Sequence, residues 1–160
     1  MRPHDQLARV LLLAPLVFVA HVLEESPGFV TWFNARVTPG ITADLFWFVN
    51  GTGLLITILV SLGYWTTRSP AAVVGAVAWL SFLMLTNAIF HIVGAILDRA
   101  YVPGLATAIF LYLPYCWWVA RYVRRDGRVA PRLLASVAVL GAIPMALHGY
   151  RILFLGSRLF

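Results

Sequence analysis

The chain has 160 residues, 61% of them hydrophobic and only 11% charged, with a mean hydropathy of +0.86. Soluble domains carry about 25% charged residues, so this composition excludes a soluble globule, and a disordered or fibrous chain as well; its natural solvent is a bilayer. The formal charge of +6 comes from 12 basic residues, all arginine, against six acids, an excess that in a membrane chain holds cytoplasmic loops in place rather than binding nucleic acid.

A bilayer core of about 30 Å needs about 20 apolar residues per helix, and five stretches qualify. The first spans about 7–23. Its basic start (Arg2, Arg9) and apolar middle fit a signal peptide. The triplet Phe18-Val19-Ala20 puts a bulky residue where cleavage wants a small one, so it is read as a retained span. Ser26-Pro27-Gly28 stops it. Residues 27–40 are too few and too polar to cross. With Phe29, Trp32 and Phe33 beside Asn34 and Arg36 they predict a short interfacial segment. The second span covers about 42–65. The third covers about 71–97, with Ser69 as N-cap and Pro70 in the first turn. Pro103-Gly104 opens the fourth, about 105–122, and Pro131 precedes the fifth, about 133–155. Pro15, Pro114 and Pro144 fall inside helices and should kink them. With no internal repeat, the expectation is one transmembrane domain over 1–160, an all-α bundle of five spanning helices. The single Cys116 excludes an intramolecular disulfide and a cysteine metal site.

Arginine counting orients the bundle. With the N-terminus inside, one side holds Arg2, Arg9, Arg68, Arg121, Arg124, Arg125, Arg128 and Arg132; the other holds Arg36, Arg99, Arg151 and Arg158. Eight against four predicts a cytoplasmic N-terminus and an extracytoplasmic C-terminus, with the segment 121–132 as main anchor. Contact with anionic lipid head groups is one reading of that segment, and the simpler one is that it only sets topology.

Ionisable residues inside spanning helices are costly, and three short patterns contain them. In His21-Val22-Leu23-Glu24-Glu25, the spacings i, i+3 and i+4 let His21 share a face with either glutamate. An imidazole with carboxylates suits a divalent metal or a proton relay. Asn87 and His91 share a face of the third helix, and His148 and Arg151 share one of the fifth. Counted along their helices at 1.5 Å per residue, His21, Glu24, Glu25, His91 and His148 all fall in the outer half of the bilayer, as do Asp44 and Asn50 near the outer start of the second span. Unrelated structural residues would not share one depth, so the sequence predicts one buried polar site open toward the outer leaflet.

These patterns resemble a family of small bacterial integral membrane proteins marked by an HxxEE motif, here His21 to Glu25, with NxxxH as Asn87 and His91 and YxPG as Tyr101-Val102-Pro103-Gly104. The resemblance spans most of the chain. It implies a bacterial inner-membrane location and a site of catalytic residue types rather than a substrate, and it adds Tyr101 as a proton donor or orienting group.

The function expected is a metal-dependent intramembrane enzyme, a hydrolase of lipid-like or other apolar substrates. His21, Glu25, His91 and His148 are the expected ligands. Glu24, Glu25, Tyr101 and Arg151 are the expected catalytic groups, and Asn87, Asp44 and Asn50 the expected substrate-binding ones. Zinc is favoured over iron, because so few ligands do not suit two irons. The alternatives are a metal-free acid–base isomerase or cyclase of isoprenoid- or sterol-like substrates, a di-iron oxidoreductase, and a non-enzymatic transporter or lipid-binding protein.

Overall fold

The computed structural model describes residues 2–155 and 158, and among them all regular structure is helical. We number six helical segments: α1 (Pro3–Glu25), the short α2 (29–37), α3 (Ala43–Thr67), α4 (Pro70–Asp98), α5 (105–126) and α6 (Pro131–Leu155). Of these α1, α3, α4 and α6 are long and apolar enough to cross a membrane, as expected of a multi-pass membrane protein. The fourth expected span, α5, is a helix packed into the same bundle. Its run of Tyr112, Tyr115, Trp117, Trp118, Arg121 and Tyr122 makes it less apolar than the other four. The interfacial segment forms as α2.

Local chemistry sets the breaks. Pro15 has no N–H to give the carbonyl of Leu11, and α1 turns at residues 12–13. The orphaned carbonyl is not lost: Ser61 of α3 donates its hydroxyl to it at 2.9 Å, and Tyr115 of α5 donates to the neighbouring Val10 carbonyl at 3.0 Å. Thr42 and Ser69 cap α3 and α4, each accepting from the backbone N–H three residues on. The core joins α1, α4 and α5 through Leu7, Leu11, Phe18, Met84, Tyr112 and Val119. Helices α4 and α6 touch where Gly141 meets Ala78. A Cβ at Gly141 would lie 2.5 Å from the Ala78 carbonyl oxygen, so only glycine permits that approach.

The two ends of the bundle are tied differently. At one end Arg128 reaches Asp126 at 2.8 Å, the Tyr64 hydroxyl at 2.9 Å and the Arg68 carbonyl, and Arg68 lies 4.0 Å from Asp5. At the opposite end α2 lies over α4 and α6, burying Phe33, Val37 and Leu153 together. There Asp98 receives the Trp32 indole N–H at 2.9 Å and pairs with Arg36 at 3.1 Å. The amide N–H of Arg158 bonds the carbonyl of Val37 at 3.1 Å. The site lies beneath α2.

Candidate metal centre and its cavity

The last turns of α1 present His21 and Glu25 to the bundle interior. They are one helical turn apart, and each is almost completely buried. Helix α4 brings His91, with no exposed surface, against them. Glu25 Oε1 lies 2.9 Å from His91 Nε2 and 3.4 Å from His21 Nε2. One ligand atom from each of the three residues falls within 4.8 Å of the others. Neither imidazole Nε2 has a hydrogen-bond partner among the described residues, although His91 Nε2 is at contact distance from the carboxylate. The Glu25 carboxylate thus lies within ion-pair distance of both imidazoles. Ligands about 2.1 Å from a tetrahedral ion sit about 3.4 Å apart, and the cluster has that scale. Two imidazoles and a carboxylate also match a ligand set of catalytic zinc, which leaves a fourth position open. The residues fit a divalent metal.

Ligating imidazoles are oriented through their second nitrogen. For His21 that partner is Thr107, whose Oγ1 lies 2.7 Å from Nδ1. His91 Nδ1 has no such partner among the described residues. The ring of Tyr112 packs at 4.3 Å from that of His21, and its buried hydroxyl is also unpartnered among the described residues.

The connection from α4 to α5 closes the cluster. Leu105 N–H bonds the Val102 carbonyl at 2.9 Å, which makes residues 102–105 a β-turn with Pro103 second and Gly104 third. Gly104 has φ +96 and ψ −11, the type II geometry that calls for glycine at that place. It also has no room for a side chain. A Cβ there would come within 2.7 Å of His91, 2.9 Å of Glu25 and 2.9 Å of His21. Glu24 secures the turn. Its carboxylate accepts the Ala106 N–H at 3.0 Å, the Thr107 N–H at 2.7 Å and the Tyr101 hydroxyl, capping α5 where the helix dipole favours an anion. That hydrogen bond pushes the exposed Tyr101 phenol up to about 12, so it remains a donor at neutral pH.

Beside the cluster a cavity of about 620 Å³ lies between α2, α3, α4 and α6. Glu25, Asn50, Asn87 and His148 line it among mostly apolar residues, including Phe29, Phe46, Phe90 and Met145. His148 stands exposed at its rim, apart from the three clustered ligands. Asp44 occupies the exposed first turn of α3 and Arg151 the exposed side of α6, and neither lines the cavity. The structure therefore gathers His21, Glu25 and His91 at one point and Asn50, Asn87 and His148 around the adjoining space. It turns Glu24 and Tyr101 to the helix cap. Thr107 and Tyr112 were not singled out from sequence. The signal for Thr107 is a hydroxyl three residues past Gly104, in the first turn of α5.

A family model described as "Protein of unknown function with HXXEE motif" matches residues 12–119. The match includes the three clustered residues, the 101–104 turn, Thr107 and Tyr112, and stops before α6, with His148 and Arg151. No curated protein and no solved structure matches the chain.

Proposed function

We propose that this chain, which belongs to the HXXEE family, is a five-span enzyme of a bacterial inner membrane, N-terminus inside and C-terminus outside, that hydrolyses an apolar, lipid-like substrate with a divalent metal. The observation that carries this reading is the convergence of His21, Glu25 and His91 on one buried point, with Glu25 also lining a mostly apolar cavity. Those three residues would hold the ion, and zinc suits three N and O donors better than a pair of irons does. A zinc ion there supplies Lewis acidity toward a carbonyl and lowers the pKa of a water.

The protein's own groups do the rest. Thr107 fixes the ring of His21. The Pro103-Gly104 turn seals the cluster on the side away from the cavity and keeps bulk water out. Glu25 borders both the histidines and the cavity, so it is the carboxylate within reach of a water's proton. The fourth of the five spans is α5, which sits in the bundle beside α1 and α4.

Elemental analysis of the protein purified in detergent tests the reading. One zinc per chain is expected. His21→Ala, Glu25→Ala and His91→Ala should each bring it to near zero while the protein still inserts. Absence of stoichiometric metal in the wild type sinks it. The 2.9 Å approach of Glu25 to His91 also suits a metal-free acid–base isomerase, and activity that survives chelators selects that reading.

A further inference from the structure

Helices α5 and α6 follow one another in the chain but pack on others, α5 on α1 and α4, and α6 on α4. Between them α4 floors a groove. It consists of two hollows of about 240 and 140 Å³ that share Val77, Ala120 and Ala138 as walls. The first begins at Arg124 and at Pro131, the start of α6, and the second reaches Cys116 and Leu85. Arg124 lies eight residues of helix from Cys116, about 12 Å, which is most of the roughly 15 Å half-thickness of a bilayer core. Apart from Arg124, Ser81 and the Cys116 thiol, the lining is apolar, and none of it belongs to the cavity beside the metal cluster.

The mouth of the groove is basic. Arg124 lines it, Arg121 lies one turn along on the same helix face, and Arg132 follows Pro131. All three are exposed, and none pairs with an acid among the described residues. The acid nearest in sequence, Asp126, has a buried side chain and is held by Arg128 at 2.8 Å. The first turn of α6 adds the positive end of a 25-residue helix.

An unneutralised basic mouth above an apolar groove has the polarity of one kind of molecule, a lipid with an anionic head and a hydrocarbon tail. We infer that the groove binds one anionic glycerophospholipid from the leaflet on that side. Its phosphate sits at Arg124 and the start of α6, and one acyl chain lies along Val77, Ala120 and Ala138. The chain fills the seam that α5 and α6 leave open, so the lipid stabilises the fold as well as occupying it. This site is separate from the metal cluster and does not depend on the function proposed for it.

Delipidated protein in detergent tests it. The protein is titrated with dioleoylphosphatidylglycerol against dioleoylphosphatidylcholine, which share their chains and differ in net head-group charge. Bound lipid is counted by native mass spectrometry, and affinity is read from the rise in Tm. One phosphatidylglycerol per chain is expected, held about tenfold tighter than the choline lipid. Arg124→Gln should weaken it about fivefold, while Arg99→Gln, at the other end of the bundle, leaves it unchanged. Glycerol phosphate, which carries the charge without the chains, should give no rise in Tm at the same concentrations. Ala138→Phe fills the groove and should remove the bound lipid. Should that variant lack an unfolding transition, Ala120→Leu reads the same. Equal affinity for the two lipids, full affinity in Arg124→Gln, an equal loss in Arg99→Gln, retention of the lipid in the filled groove, or a response to glycerol phosphate alone overturns the inference.

Discussion

Glu24 and Glu25 are neighbours in sequence and do different work. Adjacent helix positions point about 100° apart, so one carboxylate turns to the histidines and the other to the start of α5. From sequence alone His21 could face either, since i+3 and i+4 are both neighbours on a helix. Only the position of α5 decides. The linkage through Thr107 has a measurable consequence. Thr107→Val keeps the shape but removes the group that orients His21 Nδ1. Zinc affinity should fall about 10–100-fold, read by competition with a chromophoric chelator, while the thermal unfolding of the zinc-free protein changes little. An unchanged affinity would mean that the Thr107 contact does not orient the ligand. Tyr101 acts in the same cap. Its phenol is raised by the bond to Glu24, so its contribution is full below the ordinary phenol range near pH 10 and is lost as pH climbs through about 12. The motif residues were legible because they are ionisable groups in apolar helices. Thr107 was not, because a threonine in a membrane helix is commonplace.

At the scale of the elements, irregularities gather around the site. Short π turns occupy Phe33–Val37, Ser81–Leu85 and Ala108–Tyr112. They lie in α2 above the cavity, in α4 just before Asn87 and in α5 just after Thr107. Such turns occur often at functional sites, because an extra residue re-aims the side chains that follow. Pro114 contributes to the last, since it offers no N–H to the Phe110 carbonyl. Pro15 and Pro114 announced two breaks in the sequence, but not what would answer the freed carbonyls. Pro144 lies inside α6, which runs on as one continuous helix, and no proline lies in the turns Phe33–Val37 and Ser81–Leu85. Ser61 answers one of them, at Leu11. Ser61→Ala should therefore cost about 1 kcal/mol, measured by unfolding in mixed detergent, with metal content retained. A variant as stable as the wild type would show that the carbonyl finds another donor.

At the scale of the molecule, the loops sort to two ends. Asp5, Arg68, Asp126 and Arg128 meet at one, and Arg36, Asp98 and the Arg158 amide at the other. The arginine excess then predicts which end is cytoplasmic. In a Cys116→Ser background, Ala35→Cys should react with a membrane-impermeant maleimide in intact cells, and Ala130→Cys only after lysis. The opposite pattern would invert the proposed topology and place the cavity in the inner leaflet. The arginine pattern carries this orientation in the sequence itself, whereas the hydropathy of α5 is lowered by its tyrosines, tryptophans and arginine.

The sequence by itself determined the solvent, the helices and their breaks, the family, and the small set of polar residues that burial in a bilayer would not tolerate without a reason. Those follow from composition and from spacing along one helix. The tertiary structure decided which of those polar residues meet. It joined His21, Glu25 and His91, put Asn50, Asn87 and His148 around an adjoining cavity, committed Glu24 to a cap, and left Asp44 and Arg151 outside. Depth along a helix is fixed by counting residues. Direction around it becomes a contact only when helices pack, and here the packing turns on a proline–glycine corner too tight for any side chain.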